Sequence, residues 1–106
     1  MPAYLVTIFN YSSKDLTVHN SETKNKWVVS HGNKASGDKD CIPWAGKGVL
    51  RITTNLGEVW DVDDGDWHIW ITTPGRGREQ AAKYPGSINQ NYNLDFFDAG
   101  PKITWI

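Results

Sequence analysis

The amino-acid sequence predicts an all-β fold, an antiparallel β-sandwich or a closed β-barrel of about eight or nine short strands. Three observations carry this. Short apolar–polar alternations recur along the chain between Gly, Pro, Asn and Asp turn signals, and no stretch of ordinary helix length keeps a helical period. Six Trp, four Tyr and three Phe supply ring area of the kind that builds the core of a small β domain. The run Glu58 to Thr73, E-V-W-D-V-D-D-G-D-W-H-I-W-I-T-T, sets an Asp-Gly pair between two alternating segments, a strong local hairpin signal. No internal repeat of about 30–45 residues is visible, which weighs against a propeller or trefoil. At 106 residues the chain reads as a single domain, 1–106.

Taken in order, Ala3–Asn10 is a strand with Tyr4, Val6 and Ile8 on one face and Leu5, Thr7 and Phe9 on the other. Both faces are largely apolar, so the strand is expected at the centre of a sheet. Asp15–Asn20 alternates Leu16 and Val18 against Thr17 and His19, as a half-exposed strand does, and is expected to form a hairpin with the first. Trp27–Ser30 is a third strand. His31–Asp40 is the most polar run and reads as a long loop. Cys41–Trp44 contains Pro43, which confines it to an edge strand or a bulge. Val49–Thr54 directs Leu50 and Ile52 inward.

In the central hairpin, Trp67, Ile69 and Ile71 are expected inward, with His68 and Trp70 outward and the acidic tip in water. Glu79–Lys83 has the composition of one helical turn, too short to stand alone. Ile88–Phe97 places Ile88, Tyr92, Leu94 and Phe96 on one face and Asn89, Asn91, Asn93 and Asp95 on the other. Lys102–Ile106 closes the chain with Ile103 and Trp105 inward, and both terminal strands are expected to be docked in a sheet.

Composition narrows the function. Hydrophobic content of 39% and charged content of 22% fit a folded chain rather than a disordered one. A net charge of −1 provides no field to gather nucleic acid. No segment approaches the ~20 apolar residues of a membrane-spanning helix. Met1-Pro2-Ala3 lacks a basic leader, so the chain is expected in the cytoplasm or exported by an unconventional route. Asn10-Tyr11-Ser12 then matches the glycosylation pattern by chance.

The chemistry-bearing residues point to recognition rather than catalysis. The tip Asp61–Asp66 clusters carboxylates, but the calcium-loop pattern fails: counting from Asp61, the sixth residue is Asp66 and the twelfth is Thr72. No metal site and no cofactor are expected, since His19, His31, His68 and Cys41 lack metal-ligand spacing. Cys41 reads as a buried small apolar side chain, and no nucleophile elbow occurs. Carboxylates for glycoside hydrolysis would have to come from Asp61–Asp66, Glu58 or Asp95, in a chain with little room for a deep cleft. No catalytic residue is assigned.

The candidate ligand contacts are Asp64, Asp66, His68, Trp70, Arg76, Asn91 and Asn93. Amides and carboxylates bond vicinal hydroxyls, while an indole stacks on the apolar side of a pyranose. Arg76, in the basic glycine loop Gly75–Arg78, adds a contact for a phosphate or sulfate. Alternation fixes which residues share a face on one strand. It does not fix whether the His68–Trp70 face and the Asn91–Asn93 face are neighbours.

Several features resemble two groups of small fungal fruiting-body proteins, the cytosolic mushroom lectins and the aegerolysins. They are the apolar strand and polar turn of Ala3–Ser13, Trp27 followed by Gly32-Asn33-Lys34, and Asp64-Gly65-Asp66 leading to Trp67 and Trp70. The chain is shorter than a usual aegerolysin. The resemblance implies a β-sandwich recognition or defence protein and carries over no binding residue. The expected function is therefore a non-enzymatic lectin for glycans of glycoproteins or glycolipids, made multivalent by homo-oligomerisation, with a lipid- or membrane-binding module as the alternative.

Overall fold

The computed structural model describes residues 2–86 and 89–106. Those residues form ten strands and no helix. Strands β1 (Ala3–Asn10), β4 (Lys34–Cys41), β9 (Gln90–Phe97) and β10 (Gly100–Trp105) make a four-stranded sheet in the order β10-β9-β1-β4. The other six are β2 (Leu16–Asn20), β3 (Lys26–Val29), β5 (Leu50–Thr54), β6 (Val59–Gly65), β7 (His68–Thr72) and β8 (Arg78–Lys83). They make a second sheet in the order β3-β2-β5-β6-β7-β8.

The two inner faces share one core. Leu5, Ile8, Tyr92, Leu94 and Phe96 meet Leu16, Val18, Leu50, Ile52, Trp60, Val62, Ile69 and Ile71. Each sheet ends in edge strands, so the molecule is a sandwich and the closed barrel is not formed. All pairings are antiparallel except β1 with β9, which run parallel.

Where one face of a strand is apolar and the other polar, period-two reasoning places the side chains correctly. Leu16 and Val18, Leu50 and Ile52, and Tyr92, Leu94 and Phe96 all face the core, and Ile103 and Trp105 pack against it. The expected position of Ile88 lies outside the described residues.

Several expectations change. Strand β1 is central, with β9 and β4 on either side, but its register shifts between Leu5 and Thr7. That bulge reverses the alternation, so Ala3 and Leu5 face in, then Ile8 and Asn10. Strands β1 and β2 do not pair. The link between them crosses from one sheet to the other and is tied by buried Asn10, whose Nδ2 donates to Lys14 O (2.7 Å) and Val29 O (2.9 Å) while Oδ1 accepts from Ser12. The Asn10 amide is thus enclosed and fully bonded.

The run read as a long loop contains β4, an edge strand on β1 with a polar outer face. Gly37 opposes the bulge there, and a Cβ on it would lie 2.4 Å from Leu5 Cγ. Glu79–Lys83 is extended within β8, because backbone pairing with β7 outweighs its helical composition. Its exposed Arg, Glu, Gln and Lys side chains suit an unpaired edge.

The central hairpin forms, but its turn falls two residues beyond the Asp64-Gly65 pair. Gly65 faces His68, and Asp66 and Trp67 are the loop residues, with φ of 52° and 61°. Two positive φ values in a row are the signature of a type I′ turn, which normally recruits Asn or Gly. A turn centred on Asp64-Gly65 would set Trp67 opposite Val62 on the core face. The observed register instead sets Asp64 opposite Ile69 on that face and sends Trp67 out to the tip. The expectations that Trp67 is inward and that the acidic run is solvated at the tip are both overturned. Asp63 and Asp64 are buried, and Trp67 is 51% exposed.

Candidate binding site

The displaced turn builds a hollow of about 190 Å³, lined by Trp44, Asp64, Asp66, Trp67 and Tyr84. Each wall has a local cause. After β4 the chain leaves the small sheet and reaches β6 of the large one: Asp64 N donates to Pro43 O and Ala45 N to Asp64 O, both at 2.8 Å. That two-bond clamp takes the place β5 vacates beyond Leu50 and fixes Trp44 beside Asp64. On the other side, Tyr84 N donates to Trp67 O at 2.9 Å, which brings the end of β8 under the hairpin tip.

Trp44 is 44% exposed, whereas Asp64 is 1% exposed and Tyr84 is buried. The rings form a path from surface to core. Trp67 meets Tyr84 edge-on at 6.2 Å, Tyr84 meets Trp105 at 5.2 Å, and Trp105 meets Tyr92 at 5.9 Å. A second hollow of about 310 Å³, lined by Lys83, Pro85 and Gly86, shares the Trp67 and Tyr84 walls.

The floor is an acid in an apolar setting. The Tyr84 hydroxyl donates a short hydrogen bond to Asp64 Oδ2. Asp64 Oδ1 is buried with no hydrogen-bond partner, although the Ala3 N–H lies near enough to favour its charge. Burial pushes the Asp64 carboxyl above the usual carboxylate range. The Tyr84 hydrogen bond opposes that shift without cancelling it, and the charge of Asp63 adds to it. Burial and the Asp64 contact hold the Tyr84 hydroxyl far above its ordinary value, so it remains a donor.

Of the residues expected to contact ligand, Asp64 and Asp66 line this hollow. His68 and Trp70 do share the outer face of the large sheet, with ring centroids 6.2 Å apart. They are engaged there. Trp70 Nε1 donates to Gly65 O at 2.8 Å, and the Arg78 guanidinium lies 4.0 Å from the Trp70 ring centroid. Arg78 also forks onto Asp63 at 2.6–3.1 Å, and His68 Nδ1 donates to Asp66 O at 2.6 Å.

Asn91 and Asn93 are on the outward side of β9 in the other sheet, across the sandwich from His68 and Trp70. The structure does not bring the two faces together. Arg76 is in an exposed turn, 3.0 Å from Glu79.

Sequence reasoning missed Trp44, Trp67 and Tyr84. The available signal was Trp44 between Pro43 and Gly46, a ring in a segment unable to continue a strand.

Other groups offer less. Burial raises the Cys41 thiol, with Asp40 and Glu22 adding to the effect, so it is not an activated nucleophile. Among the described residues no three His, Cys, Asp or Glu side chains gather as a metal site, and no helix is long and apolar enough to cross a membrane. On the small sheet, Phe9, Tyr11 and Phe97 stack at 5.7 and 5.2 Å beside an open groove of about 570 Å³ that reaches Val28 and Lys34. Compared with protein-family models, curated proteins and solved structures, the chain finds no match.

Proposed function

We propose that this protein is a lectin, binding glycans without turnover in the hollow between Trp44 and Trp67. The observation that carries the reading is two half-exposed indoles flanking a hollow whose lining includes the carboxyl-bearing Asp64 and Asp66. An indole face suits the C–H side of a pyranose, and carboxylates accept from its hydroxyls. The hollow is smaller than the 300–1,000 Å³ typical of small-molecule sites, so it suits a single terminal sugar rather than a long chain. One such contact binds weakly, and a homo-oligomer joined through free strand edges would multiply it. The resemblance to mushroom lectins points the same way.

The test is a glycan array followed by titration calorimetry with wild type, Trp44→Ala and Trp67→Ala. Binding to a defined terminal sugar, lost in both variants while the fold persists, is the expected result. No binding across the array removes the reading.

A second reading has its own observation. Tyr11 (57% exposed), Val28 (72%) and Phe97 (42%) form an apolar surface around the ring stack, of the kind that enters a bilayer interface. Co-sedimentation with neutral liposomes, abolished by Tyr11→Ser with Phe97→Ser, would favour a lipid-binding module instead.

A further inference from the structure

We propose that the protein forms a two-fold dimer by antiparallel pairing of strand β3 with β3 of a second copy. This pairing does not depend on what the hollow binds. It follows from how the four edge strands are finished. An open row of N–H and C=O groups invites another strand, and proteins blunt it with charge, proline or irregular backbone. Strand β8 carries exposed Arg78, Glu79, Gln80 and Lys83. Strand β10 has Pro101, which lacks an N–H, and exposed Lys102. Strand β4 has exposed Lys34, Asp38 and Lys39, with left-handed φ of 54° and 52° at the last two. Strand β3 has no such device at its centre: half-buried Trp27 is followed by Val28, 72% exposed.

The edge is also accessible and correctly oriented. Asn20 N donates to Asn25 O at 2.9 Å, and alternation from that bond turns the N–H and C=O of Lys26 and Val28 away from β2. A groove of about 570 Å³, with Val28 and Val29 on one side and Phe9 and Tyr11 on the other, runs beside the strand.

The sequence of this edge is complementary to itself. Opposed residues in an antiparallel pair share a face, so setting Val28 against its own copy keeps Trp27 and Val29 inward in both chains. The two Val28 residues then exchange backbone hydrogen bonds, and Lys26 falls opposite Ser30 of the second copy. The register that sets Leu16 against Val29 sets Asp15 beside Ser30, and Asp15 Oδ1 accepts from His31 N at 3.0 Å. Two strand spacings, ~10 Å, separate Lys26 from that Asp15, within the joint reach of their side chains. Both residues are exposed, and neither has an ion-pair partner among the described residues. The two-fold axis therefore creates two Lys26–Asp15 pairs, which favours a second copy over an unrelated strand. The hollow lies at the β6–β7 tip, with β6 three strands away from β3, so both copies keep it open.

The test is sedimentation velocity over a range of about 10–200 μM, since so short an edge gives a small, reversible interface. Wild type is expected to approach twice the 11.9 kDa of the chain as concentration rises. Val28→Lys sets two like charges together on the axis and should raise the dissociation constant about tenfold or more, with the circular dichroism of the folded chain retained. Lys26→Asp and Asp15→Lys should each weaken the dimer, and the two combined should restore it.

A wild type that stays monomeric across the range overturns the proposal, and this outcome does not depend on any variant folding. A dimer indifferent to Val28→Lys and to both charge changes overturns it as well, because its contact lies on another surface. A monomer that sediments with neutral liposomes and loses them on Val28→Lys gives this edge to a bilayer instead. Glycan binding by a monomeric wild type removes the pairing alone and leaves the lectin reading standing.

Discussion

Asp64 is buried at a cost to the fold. Its carboxyl is held above its ordinary pKa by burial, so the charged form is less favourable in the folded chain than in the unfolded one. Below the unfolded value both states are protonated and nothing is lost. As pH rises through the raised folded value, the stability associated with the neutral acid disappears. Asp64→Asn should therefore stabilise the protein at pH 7 by about 1 kcal/mol and have little effect near pH 3. Thermal unfolding at the two pH values checks this, and a variant less stable than wild type at pH 7 contradicts it.

Trp67 carries a related cost in its backbone. A bulky residue at φ 61° is strained, and glycine is not. Trp67→Gly should be more stable than Trp67→Ala by about 1 kcal/mol in denaturant titrations. Neither should approach the ~3–5 kcal/mol expected for Trp60→Ala, whose ring is buried edge-on against Phe96 at 5.0 Å.

At the scale of elements, the legible strands were those with one wet face and one dry face. Leu16–Asn20, Leu50–Thr54 and the β9 core row could be assigned because alternation alone decides them. Strands β4 and β8 were not legible, because edge strands with mostly polar side chains carry no alternation and exist only by pairing with a neighbour. The bulge in β1 was hidden for a different reason: it depends on β4 coming close at Gly37, far along the chain. Gly37→Ala should force that approach apart and cost about 2 kcal/mol or more in denaturant unfolding. An unchanged midpoint would mean that the two strands separate freely there.

The existence of the hairpin was plain from Glu58–Thr73, but two turn positions were compatible with the same inward parity. The one that local propensity favours would have buried Trp67 and solvated Asp64. Tertiary contacts selected the other, through the Pro43–Ala45 clamp on Asp64 and the Tyr84 contact with Trp67. Local rules fail together at one spot, with an exposed indole, a buried acid and two positive φ values, as they do at functional or strained sites.

At the scale of the molecule, the two-sheet architecture decides which surfaces can cooperate. The Asn91–Asn93 row and the His68–Trp70 pair face away from each other on opposite sheets, a relation that no strand pattern reveals. What the sandwich does bring together is the crossing segment from β4, the tip of the β6–β7 hairpin and the end of β8, so the hollow draws Trp44, Trp67 and Tyr84 from three separate parts of the chain. Asp64 and Asp66, which line the hollow, could be singled out because they adjoin the hairpin turn. The aromatic walls were not, because their meeting depends on that crossing.

The most direct test of the hollow as the ligand site uses the six indole N–H signals of a nitrogen-15 spectrum, one for each tryptophan. Addition of a bound oligosaccharide should shift the Trp44 and Trp67 signals and leave that of buried Trp60 in place. Shifts confined to Trp70 or Trp27, with Trp44 and Trp67 unmoved, would contradict the account.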